Sequence, residues 1–407
     1  MNSSSVSRRA ALRAGCRHCV GAAGLFGAVL STAQAQQSSL AEQSAASAAA
    51  SEVLPSRFTR PALDSDEGGL WAMMDREESR LRRSPFALRD KALTGYLQDV
   101  ACRLGGEHCP DVRVHVVRTP LFNANMAPNG MMQVWTGLLL RLENESQLAA
   151  VLGHEMGHYF ERHSLERLRD VKSRMAFAQF IGLFGLVGAI GQLGILASAF
   201  AYSREHETRA DRLGMRLLQQ AGYDGRQAAR VWDNLVGEIE VTGGKDAGKR
   251  SPMLASHPPV ESRRDDLLAL AGERGGKVGE DDFQRAIAPF RLDWLHDEVK
   301  RGQYEESLVL FDRMLKREPA DAEVLYARGE VRRLRATPQD LTQSLADLTE
   351  AARLDKAPVL THRSLGLAHR QRQDFPAAVQ AFERYLALAP EAADASLIKT
   401  QILELTP

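Results

Sequence analysis

The chain is 407 residues long and balances 52 basic against 52 acidic side chains, which leaves no strongly basic field for nucleic acid. It is longer than one ordinary domain, and its four cysteines are too few for a disulfide scaffold. The N-terminus reads as an address. Ser7-Arg8-Arg9-Ala10-Ala11-Leu12 carries a twin arginine, residues 19–30 are apolar, and Ala33-Gln34-Ala35 offers a small-residue cleavage site. This predicts a signal peptide over residues 1–35, of twin-arginine type, and a periplasmic mature protein. The Sec route and a retained N-terminal anchor are the alternatives. Cleavage removes four arginines and no acid, so the mature chain is mildly acidic.

Residues 36–68 are rich in Ala, Ser and Gln and read as a disordered spacer. Helical patterns follow over residues 70–83 and 86–104. Cys102 and Cys109 are the only cysteines beyond the signal, and an oxidising compartment predicts that they pair. Two free buried thiols are the alternative. Residues 112–117 and 131–135 read as strands. They are either an open edge to which an extended peptide adds through its backbone, or an ordinary hairpin.

The next stretch, His154-Glu155-Met156-Gly157-His158, lies in an apolar-periodic helix that Asn144, Glu145 and Ser146 open. Residues i and i+4 share a helix face, so His154 and His158 can offer imidazole nitrogens to one metal ion. Glu155 follows the first ligand and reaches a water on that metal, which is the zinc-protease arrangement. The pattern alone also arises by chance, so it needs a third ligand. Glu207, in a second helical pattern with Asp211 one turn on, completes a His-His-Glu set. Asp211 is placed to accept a hydrogen bond from a ligand histidine. A solvated charged face is the bland alternative for this run.

Between these two halves, residues 175–203 carry no charge and hold glycines at 182, 185, 188, 191 and 194. The run is long enough to span a bilayer, but one crossing would put His158 and Glu207 on opposite sides. It reads as a helical hairpin packed in the protein or in an oligomer interface, with peripheral membrane contact as the alternative. Residues 241–255 read as a mobile loop leading to His257-Pro258-Pro259 and a polar helix from Val260. A weak linker, residues 271–282, closes the first domain.

The remainder repeats. Phe311, Leu348 and Phe382 share one register, and Pro319, Lys356 and Pro390 another. With Leu365-Gly366 and Ala378 this is the tetratricopeptide pattern, present about three times. Leu348 and Lys356 depart from the usual Phe and Pro, and residues 336–340 lengthen the middle unit.

Residues 148–163 and 207–211, with the approach over residues 123–130 and 135–139, resemble the zinc endopeptidase family of the CAAX prenyl protease and the heat-shock protease HtpX. The C-terminal repeats point to its soluble periplasmic members of BepA type. The resemblance implies zinc, one per chain, on His154, His158 and Glu207, with Glu155 as base and Asp211 as the aspartate often described as a proton donor. Its members often carry a His-Pro at the place of His257. A neutral imidazole there can fill zinc's open position as a latch, or donate to the transition state. A surface histidine is the third reading.

The expected fold is mainly α (α+β). A zincin-like metalloprotease domain with a small sheet covers residues 69–270, and a tetratricopeptide-repeat solenoid covers residues 283–407. The expected activity is endopeptidase cleavage of misfolded or misassembled envelope proteins, with the repeats docking a substrate or outer-membrane assembly machinery. A chaperone or assembly adaptor in which proteolysis is secondary, or a membrane-surface protein using residues 175–203, are the other classes.

Overall fold

The computed structural model describes residues 54–170, 202–243, 251–257 and 262–406. The signal, most of the spacer and residues 175–201 of the uncharged segment lie outside the described residues.

Helix α1 (Asp66–Arg83) starts where Ser65 accepts a hydrogen bond from Gly68 N–H. Asp66 and Glu67 in its first turn and Arg80, Arg82 and Arg83 in its last complement the helix dipole. It buries Leu70, Met74 and Leu81 against Val117, Met131 and Trp135. The described end of the expected spacer already packs on this body. Arg57 pairs with Asp111 at 2.6 Å, and the Phe58 ring meets Tyr159 edge-on, 5.1 Å between centroids. One aromatic anchor is invisible in an averaged composition.

The helix expected over residues 86–104 is interrupted. Ala87–Leu88 forms a short strand, β1, and α2 (Lys91–Gly105) begins only after Asp90, whose carboxylate caps Leu93 N–H. A 3-10 turn, Gly106–Asp111, follows, and the Cys102 and Cys109 sulfurs are bonded across it.

The two expected strands appear as β2 (Arg113–Val117) and β4 (Met131–Trp135), with β3 (Ala124–Met126) between them in sequence. The sheet order is β1-β2-β4-β3. β2 runs parallel to β4, Val114 opposite Met132, while β1 and β3 are antiparallel to their neighbours. Both expected strands are therefore interior. The edges are β1 and β3, and β4 makes its hairpin with β3 and not with β2. Gly130 turns that hairpin at φ +87°, where a Cβ would also lie 2.0 Å from Asp111 O.

β4 runs directly into α3 (Thr136–Arg141), and α4 (Glu145–Phe160) follows. Asn144 Oδ1 accepts from Gln147 N–H at 2.9 Å and caps α4. Apart from Ala150, every residue of α4 is buried, so this is a central helix and not an amphipathic surface one. α5 (His163–Asp170), α6 (Arg204–Gln220), α7 (Arg226–Gly243), α8 (Pro252–Ser256) and α9 (Arg263–Ala271) surround it. The expected loop over residues 241–255 thus contains the end of α7 and all but the last residue of α8, which Ser251 caps. The expected polar helix starts at Arg263.

Residues 271–282 are not slack. Ser146 N–H donates to Val278 O at 2.9 Å, Glu145 N–H to Gly279 O at 3.2 Å, and Lys277 Nζ lies 2.7 Å from Glu145 Oε1. The stretch is stitched to the first turn of α4 before α10 (Glu280–Lys300) begins.

The helical repeats run through α11 (Tyr304–Arg317), α12 (Ala322–Arg335), α13 (Asp340–Arg353), α14 (Leu360–Gln371), α15 (Phe375–Leu388) and α16 (Ala395–Leu405). Phe311, Leu348 and Phe382 are all fully buried. A Cβ on Gly366 would lie 2.4 Å from the Phe382 ring, and one on Gly329 2.7 Å from Leu348 Cγ. Leu348 thus fills, with less bulk, the helix–helix gap that Phe382 fills in the following unit. Among the described residues no helix is long and apolar enough to cross a membrane. The architecture is mainly helical with one small sheet, as expected.

Candidate metal centre

Glycines set how closely α4 and α6 cross. A Cβ on Gly157 would lie 2.7 Å from Ala210 O, and one on Gly214 2.8 Å from His154 N. Only glycine lets the two backbones approach this far, and the approach carries Glu207 and Asp211 to the histidines of α4.

The cluster is buried. His154 Nε2 faces His158 Nε2 at 3.1 Å. Glu207 reaches both, with Oε2 3.5 Å from His154 Nε2 and Oε1 3.4 Å from His158 Nε2. Tetrahedral zinc with bonds near 2.0–2.1 Å needs donor atoms about 3.3 Å apart. The three separations straddle that value. His154 Nδ1 lies 2.8 Å from Asp211 Oδ1. The carboxylate must accept there, so the proton sits on Nδ1 and the Nε2 lone pair faces its neighbour. Two bare ring nitrogens at contact, with a carboxylate beside them, fit a cation between them.

Glu155 is 2% exposed, and its Oε1 has no hydrogen-bond partner; the nearest ring nitrogen, His257 Nε2, is 3.6 Å away. Burial raises its pKa, only partly opposed by His257 and His154. Burial pushes His158 down to about 3, which keeps it neutral as a ligand must be. Burial raises Glu207, but His257, His158 and His154 outweigh it and hold the carboxyl well below its ordinary value. Burial likewise raises Asp211, and Arg263 and His154 more than reverse it.

His257 is 2% exposed, so the surface reading does not hold. It caps α8, donating its backbone N–H to Met253 O. Its Nδ1 stands 3.2 Å from His154 Nε2 and 2.9 Å from Glu207 Oε1. It joins His154, His158 and Glu207 in one candidate metal-holding group. Burial lowers its pKa, but Glu207 and Glu155 outweigh that and raise it.

Two partners carried no signal in the sequence. Arg263, at the start of α9, sits 2.9 Å from Glu207 Oε2 and 2.8 Å from Asp211 Oδ1, with its guanidinium 3.7 Å over the Trp232 ring. In sequence it is one charge in Arg263-Arg264-Asp265-Asp266, a pattern that reads as a solvated face. Tyr202 stacks on His158, 3.9 Å between centroids, and its N–H donates to Ser256 O. It is the next-to-last residue of the uncharged run, and nothing in its spacing marks it. Cys102 and Cys109 lie outside this cluster.

Residues 87–271 match the model of Peptidase family M48, and residues 292–358, 333–393 and 363–405 match Tetratricopeptide repeat. The chain is 34% identical over 158 residues to "Mitochondrial metalloendopeptidase OMA1" of Arabidopsis thaliana, covering 39% of this chain and 31% of that protein. It is 30% identical over 199 residues to "Putative beta-barrel assembly-enhancing protease" of Vibrio cholerae, 45% of this chain and 40% of that one. Against "Beta-barrel assembly-enhancing protease" of Escherichia coli the figures are 26% over 257 residues, 58% and 51%. The chain thus spans from about a third to half the length of these relatives. The resemblance read from the motifs is shown: peptidase family M48 followed by tetratricopeptide repeats, with relatives of assembly-enhancing protease type.

Proposed function

We propose that this chain, an M48-type metallopeptidase region continued by tetratricopeptide repeats, is a zinc-dependent endopeptidase. The observation that carries the reading is the buried meeting of His154, His158 and Glu207 at tetrahedral-edge separations, with Glu155 beside them and its Oε1 free of any hydrogen-bond partner. His154, His158 and Glu207 would hold one zinc, which supplies Lewis acidity toward a water and a peptide carbonyl. Glu155 takes the proton from the attacking water and passes it to the leaving amine, a task that its raised pKa suits. Asp211 fixes the His154 tautomer, and Arg263 holds the Asp211 and Glu207 carboxylates in place. A substrate strand adds to the β3 edge, which packs beside α4.

The substrates are misfolded or misassembled proteins of the cell envelope, reached after export and cleavage near Ala35. The repeats dock those substrates or an outer-membrane assembly machine, as the names of the relatives suggest. His257 is the latch. With its Nδ1 3.2 Å from His154 Nε2 and 2.9 Å from Glu207 Oε1, it would close the resting site until substrate draws α8 away.

Metal analysis of the purified chain, with cleavage of an unfolded protein with and without chelator, tests the reading. About one zinc per chain is expected. His154→Ala, His158→Ala and Glu207→Gln lose it, while Glu155→Gln keeps it and loses cleavage. Full zinc affinity in Glu207→Gln would remove the third ligand. His257→Ala raises basal cleavage if it is the latch, and lowers it without metal loss if it donates to the transition state.

A further inference from the structure

The two histidines of α4 lean on different supports. His154 rests on the Asp211 carboxylate. His158 turns its Nδ1 to the Nδ1 of His163 at 2.9 Å, a fully buried ring at the start of α5. In an unbroken helix a residue five positions on points about 140° away, so the two rings could not meet. They meet because the chain turns between them. Arg162 takes a left-handed conformation, φ +56°, which a residue with a side chain adopts at a cost. Its N–H donates to Tyr159 O, its carbonyl accepts from Leu165 N–H, and α5 sets off with His163 folded back under His158.

We propose that His163 is a positioning residue of the metal centre, accepting a hydrogen bond at Nδ1 from His158 and thereby turning His158 Nε2 toward the metal. This rests on the metallopeptidase reading. A ligand histidine bound through Nε2 is neutral and carries its proton on Nδ1. Only one proton fits between two Nδ1 atoms, so His163 must be the acceptor, with its own proton on Nε2. That Nε2 is buried and has no hydrogen-bond partner. The far face of the ring stacks on His206, 4.4 Å between centroids. The rival reading is a second metal between His163, Glu166 and His206, whose donor atoms also lie close together. Arg209 opposes it, since Nη1 and Nη2 lie 3.2 Å from the two oxygens of Glu166, the one carboxylate of that group, while the same guanidinium also pairs with Glu161 at 2.6 Å.

The test is zinc and cobalt affinity of the full chain, measured against a competing chromophoric chelator, with circular dichroism of the metal-free protein. Asn places its Oδ1 where His places Nδ1, so His163→Asn keeps the acceptor and loses the ring. His163→Phe keeps the ring and loses the acceptor. Losing such a support weakens metal binding about 10–100-fold. His163→Phe is expected to fall by that factor with its metal-free fold intact, and His163→Asn to stay within about threefold of wild type. A packing role predicts the reverse order. Wild-type affinity in His163→Phe overturns the proposal, and so does an equal loss in folded His163→Asn. Should the Phe protein not fold, the Asn protein still decides. A second equivalent of metal, lost in His206→Ala, would establish the rival site instead. Failure of the underlying reading looks different: wild type would then bind no metal, or bind it as well as His158→Ala does.

Discussion

Gly157→Ala adds one methyl group between α4 and α6. The new Cβ would lie 2.7 Å from Ala210 O and 2.8 Å from Ala210 Cα, where ordinary contact begins near 3.4 Å. The obstacles are backbone atoms, so the methyl cannot be accommodated by turning a side chain. α6 must retreat by about 0.7 Å, taking Glu207 with it. Metal–donor distances tolerate roughly 0.2 Å, so the retreat breaks one corner of the site. Zinc affinity should fall about 10–100-fold, or 1.4–2.7 kcal/mol. The cost to the metal-free fold is smaller. Overpacking costs about 1–3 kcal/mol, and alanine returns up to about 1 kcal/mol of helix propensity. The net is a loss of roughly 0–2 kcal/mol. Chelator competition reads the first quantity and urea unfolding of the metal-free protein the second. Gly153→Ala, whose Cβ would lie 3.1 Å from Gly214 O, should show a milder version of both. Gly95→Ala on α2, with nothing within 4 Å, should gain about 0.5–1 kcal/mol and leave the metal untouched. Zinc affinity within threefold of wild type in Gly157→Ala would refute the idea that helix approach sets the ligand geometry.

Other consequences are open to direct measurement. Arg141 is 5% exposed and pairs with Glu238 at 2.7 Å and with the fully buried Glu298 at 2.9 Å. Arg141→Leu should therefore destabilise the chain by about 3–5 kcal/mol in urea titration, and a loss under 1 kcal/mol would argue against a shared buried network. Arg335 beside Asp340 holds that carboxyl down to about 2, with Thr337 N–H assisting. A depressed folded-state pKa stabilises above the unfolded value and is lost as pH falls through the folded one. Asp340→Asn should cost roughly 2 kcal/mol at pH 7, the gap to wild type closing between about pH 4 and pH 2. An unchanged gap at pH 2 would contradict that assignment. Cys102 and Cys109 should resist alkylation in native unreduced protein, and reduction should cost roughly 2–3 kcal/mol in thermal unfolding.

What could be read from the chain was local. The Asn144 cap, the i,i+4 pair His154 and His158, and the pair Glu207 and Asp211 each follow from one helix and its own neighbours. β2 and β4 were found by alternation, but not their pairing, because a parallel register depends on what packs across the sheet. β1 was hidden inside a helical pattern since two residues carry no period, although Asp90 marked where the helix would restart. Arg263 and His163 were missed for a different reason. Their meaning comes from where α9 and α5 begin, and a left-handed arginine leaves no mark in hydrophobic periodicity. The stretch over residues 271–282 looked like a linker because it is polar; its hydrogen bonds go to Gly222 and Asp224 and to a helix more than a hundred residues earlier.

That stitching has a mechanical consequence. A conventional tether decouples the modules it joins, so a tug on one is spent in straightening slack. Here Val278 and Gly279 hold the first turn of α4 by their carbonyls, Lys277 grips Glu145, and α10 leaves at once toward the repeats. A torque on the repeats would therefore meet no slack stretch before the first turn of the helix that carries His154 and His158, so the joint is built as a lever and not a leash.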